Sequence, residues 1–418
     1  MKYNFDKVID RSGTSAEKVE GLKHIWGRTD LIPLWVADMD FATAPFVTDA
    51  IRKRCENEVL GYTGKPDSYY NAIINWVKQR YDLIVTKEVI NFVPGIVPGI
   101  GMAMNCFTQK GDKVMIQPPV YHPFAWVTTR NERTLVINPL KWENGMYRMD
   151  LDAFREQIKG CKLFILCNPH NPGGVVWTEA ELRAIADICY DEKVLVFSDE
   201  IHADLTLPPH THRPFATVSE KARMNSVTFM SPSKAFNMPG LSASHALIFN
   251  EDLRKRFRIY MDAGELDMGH VFAFLSVEAA YSHGTEWLDQ CLAYIQGNID
   301  FVDEFLKKHA PKIKAIRPEA SYLVWLDCRE LELSQKDLNE FFVDKAHLAL
   351  NDGEMFGKEG IGFMRLNVAS PRCIIEKAMK QLADAYQVSI RPRACFFPLF
   401  SFLPLWLHYN LNPLCVQY

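Results

Sequence analysis

Alternating strands and helices between Val89 and Ala246 predict an α/β chain: a mostly parallel, doubly wound, seven-stranded sheet with helices on both faces. Two further observations agree. The chemically able residues fall just after the predicted strands, at the carboxyl ends where such sheets gather ligands. Past about residue 250 the pattern turns helical with a few apolar segments, which predicts a second, smaller α+β domain.

The elements follow in order. Residues 1–30 are mixed and polar, an arm with one short helix near Ser15–Leu22. Leu31–Phe41 is apolar and closes on two acids, Asp38 and Asp40, of which Asp40 is a candidate substrate contact. A helix is expected from Pro45 to about Leu60, with Thr43 as candidate cap and Pro45 in its first turn. Gly61-Tyr62-Thr63-Gly64 breaks it. In Ser68–Tyr81, Tyr69, Ile73, Trp76, Val77 and Tyr81 recur at helical spacing and read as core. Expected strands are Ile90–Val93, Lys113–Gln117, Arg133–Ile137, Leu163–Cys167, Val194–Ser198, Ser226–Phe229 and Ala243–Phe249. Helices are expected at Pro98–Cys106, His122–Arg130, Leu151–Ile158 and Glu179–Asp191. Amphipathic helices follow at Asp252–Asp262, Val271–Ser282 and Glu286–His309. Apolar segments at Ser321–Asp327 and Gly362–Asn367 precede a closing helix, Arg372–Tyr386. The expected division is a large domain over 45–285 and a small one from 1–44 with 286–386. Residues 387–418 form an atypical aromatic tail, whose four prolines argue against a helix or membrane span.

Composition excludes several classes. A net charge of −4 gives no reason to expect nucleic acid. No run of 18 apolar residues and no apolar leader is visible, so neither a membrane span nor secretion is expected. The ten cysteines form no C-x-x-C pair, which suits a reducing cytoplasm.

The chemistry centres on Met230–Gly240. Lys234 lies on a loop after strand Ser226–Phe229, flanked by Ser231 and Ser233. A solvated lysine in a serine-rich loop is the bland reading. A Schiff-base amine, with serines holding a phosphate, is the functional one. Partners elsewhere favour the second. Asp199 ends an apolar strand, where a carboxylate suits a protonated ring nitrogen; a helix cap would look the same. His202, three residues on, could reach a phenolic oxygen. Asn168–Gly174 is a turn that could aim the Asn171 amide at a cofactor. Gly95–Gly101, with Val97 and Pro98, lies between a strand and a helix and would suit a phosphate, but lacks the dinucleotide fingerprint. Residues 351–360 lack P-loop spacing. Tyr121 could stack on a planar ring; a core tyrosine is the alternative. Arg365, inside an apolar strand, calls for an anion such as a substrate carboxylate. His210 and His212 lack metal-ligand companions and read as a solvated loop, so no metal is expected.

Over about residues 1–386 these features resemble the fold-type I, pyridoxal-phosphate-dependent aminotransferase class I/II family. Trp35–Phe41, Gly61–Gly64, Asn168–Gly173, Ser198–Asp204 and Ser231–Gly240 look most like its cystathionine β-lyase branch, the MalY/PatB type of carbon–sulfur lyase. The resemblance implies pyridoxal 5′-phosphate on Lys234, with Asp199 at the pyridine nitrogen and Asn171 and His202 near the ring hydroxyl. It implies Tyr121 over the ring, and Ser231, Ser233 and the Val97–Pro98 backbone on the phosphate. Tyr62 would reach the phosphate of a neighbouring subunit, giving a homodimer with shared sites, and Arg365 would take the α-carboxylate. Many aminotransferases carry arginine eight residues after the lysine; Ser242 stands there, as often in the lyase branch. The resemblance therefore implies a lyase acting on a small amino acid with a sulfur leaving group. An aminotransferase and a non-catalytic relative are the alternatives.

Overall fold

The structure is a computed structural model that describes residues 2–390. The aromatic tail expected from the sequence falls mostly on 391–418, outside the described residues.

Seven strands form the main sheet: β1 (Ile90–Val93), β2 (Lys113–Ile116), β3 (Thr134–Ile137), β4 (Leu163–Cys167), β5 (Leu195–Asp199), β6 (Ser226–Met230) and β7 (Ser244–Leu247). Their order is β1-β7-β6-β5-β4-β2-β3. All neighbours are parallel except β7, which runs against both β6 and β1. The exception has a local cause. A parallel crossover takes a dozen or more residues and usually a helix. Residues 231–243 hold only a single 3₁₀ turn, Pro239–Leu241, so the chain returns antiparallel. That short connection carries Lys234.

The central strand β4 is apolar throughout because both its faces are covered. In β4, Leu163, Ile165 and Cys167 pack on one side with Ile100, Phe124 and Phe257. Phe164 and Leu166 pack on the other with Phe154, Leu182 and Ile185.

A second sheet comprises β8 (Lys314–Ile316), β9 (Leu323–Asp327), β10 (Asn351–Asp352) and β11 (Phe363–Asn367). It is antiparallel, in the order β8-β9-β11-β10. The N-terminal arm docks beside it, with Ile32–Pro33 pairing in parallel with Leu348–Ala349 as a separate two-stranded sheet. Asn367 N then donates to Leu34 O at 2.9 Å. These bonds deliver Trp35–Phe41 to the carboxyl edge of the large sheet.

Several boundaries differ from expectation. The first helix spans Glu17–Trp26 and stops at Gly27, whose φ of 67° only glycine adopts freely. The helix expected to reach Leu60 ends at Cys55. Arg54 folds over its end, donating to Asn57 O at 3.2 Å and Val59 O at 3.0 Å. Thr43 is not its cap; the hydroxyl donates to Asn237 O at 2.7 Å. The helix expected from Pro98 starts at Ile96, and the closing helix runs from Arg372 to Ile390. A hairpin, Lys141–Glu143 with Met146–Arg148, had no place in the expected strands. No described helix is long and apolar enough to cross a membrane.

Candidate active site

β6 ends at Met230, and one tight turn follows, closed by Phe236 N to Pro232 O at 2.9 Å and Met238 N to Ser233 O at 2.8 Å. The turn is fastened by Asn237. Its amide donates to Met39 O (3.0 Å) and Phe41 O (2.7 Å) and accepts from Met39 N (3.0 Å). The lysine loop and the arm segment therefore move together. Between them, Lys234 Nζ donates to Ala37 O at 2.5 Å. Removal from bulk water pulls the amine down to about 8, against the opposing pull of the Asp38 carboxylate.

Asp199 closes β5 and is buried. One carboxylate oxygen accepts from Ile201 N at 3.1 Å, and no cationic side chain among the described residues is in ion-pair contact with it. Burial pushes it up to about 7, and the neighbouring Glu200 adds to the rise. A buried carboxylate lacking a cation is a site for one. His202 is buried with an unpartnered Nδ1, and burial holds its ring down to about 3. Tyr121 follows β2 and meets Phe124 edge-on, with ring centroids 5.8 Å apart. Burial raises its phenol, keeping it neutral.

Asn171 follows β4, and its backbone N donates to Cys167 Sγ at 3.3 Å. Its side-chain oxygen accepts from Arg365 Nη1 at 3.1 Å. Arg365 stands on β11 and also donates to Trp35 O (3.1 Å) and Asn351 Oδ1 (2.5 Å). Its guanidinium lies 4.8 Å from the Phe356 ring, and Nε is buried without a partner. Burial lowers it to about 10, so it remains a cation at neutral pH. All its acceptors are neutral. A carboxylate would supply the anion this cation lacks.

Lys234, Asp199, Asn171, His202, Tyr121 and Ser233 line one cavity of about 200 Å³, with Val97 and Pro98 in its wall. One end is the first turn of the helix Ile96–Phe107. Gly95, at φ 148°, turns the chain into that helix where a side chain would be strained. The free N–H groups there, with Ser233, Ser242 and Ser244 beside them, make an anion cradle. Proline has no N–H, so Pro98 contributes wall but no donor; Ile96 and Val97 are the donors.

Other expected site residues lie elsewhere. Ser231 does not line the cavity: its hydroxyl donates to Ala243 O at 2.7 Å and accepts from Ser233 N at 3.1 Å, shaping the turn. Asp40 is held by Lys18 at 2.8 Å and Arg11 at 3.2 Å, outside the cavity. Tyr62 is fully exposed, in a separate surface groove with Lys65 and Asp267. His212 is not solvated; it is buried, with Nε2 2.8 Å from Glu200 Oε2. His210 is more open and lies 3.7 Å from Glu319. Among the described residues no group of side chains could hold a metal.

Three contributors escaped the sequence reading. Ala37 offers a backbone oxygen, which no side-chain pattern announces. Cys167 lines the cavity as the residue paired in register with Asp199. Tyr322 donates to Ala37 O at 3.0 Å and lies in Ser321–Asp327, which the sequence marked only as an apolar segment.

The chain matches the family described as aminotransferase class I and II over residues 29–382. It belongs to that family. It is 38% identical to cystathionine β-lyase PatB of Bacillus subtilis, covering 91% of this chain and 99% of PatB. Among solved structures, cystalysin from Treponema denticola, which contains pyridoxal 5′-phosphate, superposes with a TM-score of 0.90. It is 33% identical and covers 93% of this chain and 100% of its own. The pyridoxal-phosphate-bound C–S lyase of Staphylococcus hominis gives 0.85 at 35% identity, covering 92% of this chain and 98% of its own.

Proposed function

We propose that this chain is a pyridoxal-phosphate-dependent carbon–sulfur β-lyase. It cleaves cystathionine or a related cysteine S-conjugate, with water, to a thiol, pyruvate and ammonia. The observation that carries the reading is one cavity holding a lysine amine with lowered proton affinity and a buried carboxylate without a cation, with Arg365 close behind Asn171.

The residues fit the cofactor. The Gly95–Val97 cradle and Ser233 suit its phosphate, Asp199 its ring nitrogen, and the orphan His202 Nδ1 with Asn171 its ring oxygen. Tyr121 would cover a ring face. When bound, pyridoxal phosphate supplies an aldehyde for amines and a ring that draws electrons from the adjacent carbon. The chain's residues do the rest. Asp199 holds a proton on the ring nitrogen. Arg365 orients the substrate by its carboxylate. Lys234, partly neutral near pH 7, removes the Cα proton. The C–H electron pair then forms the Cα–Cβ double bond as the C–S pair leaves with the thiolate.

The lyase and the aminotransferase share these residues; the lyase is favoured by PatB, cystalysin and the Staphylococcus enzyme. The full chain with pyridoxal phosphate should release pyruvate and homocysteine from cystathionine in equal amounts without a keto acid. Turnover only with a keto-acid acceptor would make it an aminotransferase. Lys234→Ala should lose turnover by at least about a thousandfold, as expected for a group that both attaches and transfers a proton.

A homodimer with shared sites belongs to the same proposal, with Tyr62 of one subunit serving the phosphate of the other. Its fully exposed ring suits that role. Mixed subunits of Lys234→Ala and Tyr62→Phe should regain activity that neither has alone. A cytoplasmic setting is also proposed, supported by eight free cysteines among the described residues.

A further inference from the structure

One buried side chain outside this reading reaches the same acceptor as the reactive amine. Tyr322 is fully buried, and its hydroxyl makes one hydrogen bond among the described residues, to Ala37 O at 3.0 Å. Lys234 Nζ takes the same oxygen at 2.5 Å. A carbonyl oxygen has two lone pairs, and here each has a donor.

The carbonyl cannot turn away. Asn367 Nδ2 binds Val36 O and Asp38 O, both at 2.7 Å, on either side of it. Asn237 holds Met39 and Phe41, and Arg365 holds Trp35 O. Tyr322 is itself fixed. Ser321 N donates to Leu205 O at 2.9 Å, and Val368 N donates to Tyr322 O at 2.9 Å. Burial drives the phenol far above its ordinary range, so it stays a donor.

We propose that Tyr322 is a positioning residue for the Lys234 amine, acting through the Ala37 carbonyl oxygen that the two side chains share. The proposal rests on Lys234 being the reactive amine. Tyr322 occupies one lone pair and leaves the other aimed at Nζ, so the amine has a single defined berth when unattached. Two donors on one oxygen each draw less from it. The phenol therefore limits how strongly Ala37 O holds the charged form of the lysine and favours the neutral amine that proton removal needs. The other charged or titratable groups that face the amine are Asp38 from the arm, Asp199 and His202 from the β5 exit, and Arg365 from β11. The substitutions below alter none of them.

The test uses the full chain freed of cofactor. Labelling of Lys234 by trinitrobenzenesulfonate is followed against pH by peptide mass spectrometry. Tyr322→Phe should raise the labelling midpoint by about half a pH unit, a ~threefold change in the protonation equilibrium. Fluorotyrosine at position 322, with fluorine beside the hydroxyl, is a stronger donor of the same shape and should lower it. Tyr81→Phe removes another buried phenol, one bonded to Asp204, and should leave the midpoint in place. An unmoved midpoint in Tyr322→Phe, or an equal rise in Tyr81→Phe, overturns the proposal. Should Tyr322→Phe not fold, the fluorotyrosine chain decides: a midpoint that stays or rises overturns it. Labelling needs no turnover, so a chain that released no pyruvate would sink the lyase reading and leave this result intact.

Discussion

Asp38 makes the reactive lysine more basic than burial alone would leave it, because its carboxylate favours the ammonium. Asp38 is itself gripped by Arg11 at 2.6 Å and Lys18 at 3.6 Å. Asp38→Asn should therefore lower the Lys234 pKa further. The sign follows directly: losing a nearby anion destabilises the charged amine. The acidic limb of kcat, which reports the substrate-bound enzyme, should move to lower pH by up to about one unit. An acidic limb that moves upward would contradict this account. The sequence marked Lys234, Asp199 and Asn171 because each follows an apolar strand, a local pattern. It could not mark Lys18, which reads as a solvated lysine in a polar arm and is fully buried against two aspartates. Nor could it mark Tyr322, whose partner is a backbone atom 285 positions away. Such pairings arise only when the arm docks.

Among elements, the lysine turn depends most on one residue. Asn237 sits at φ 52°, tolerable for asparagine, and its amide makes three hydrogen bonds to the arm. Asn237→Ala would lose all three and place a poorly suited residue in the left-handed region. At about 1 kcal/mol per bond plus about 1 for the backbone, the loss should be ~2–4 kcal/mol. Asn237→Gly relieves only the backbone part and should recover about 1 kcal/mol, without recovering activity. Urea unfolding of the three proteins, with pyruvate assays, checks both. The same turn explains why β7 runs antiparallel. Strand existence was legible from apolar runs, but direction depends on what crosses between strands, and this crossover lacks its helix. The Asn144–Gly145 turn, with φ of 51° and 81°, was a readable hairpin signal at the tip of Lys141–Arg148. The helix end at Cys55 was not readable, because the bonds that hold the turn after it run from the Arg54 side chain to the Asn57 and Val59 carbonyls.

At the scale of the whole molecule, the sheet buries ionisable groups that have no catalytic task. His245 lies in β7 between Phe92 and Met230, fully buried, with neither ring nitrogen hydrogen-bonded. Burial lowers it to about 3. In the unfolded chain the ring titrates near its ordinary value of about 6.5. Below that pH the unfolded state gains a proton that the folded state refuses. Stability is therefore whole above about pH 7 and is lost progressively as pH falls toward about 3. Between pH 7 and pH 5 this one ring should cost about 2 kcal/mol. His245→Leu removes the group and keeps an apolar side chain in the sheet. Its urea midpoint should fall less than the parent's between those two pH values, whatever the offset at pH 7. His170, also buried and lowered to about 4, remains in both proteins and cancels from the comparison. Parallel declines in parent and variant would mean that His245 is protonated inside the folded sheet, contrary to its lack of a hydrogen-bond partner.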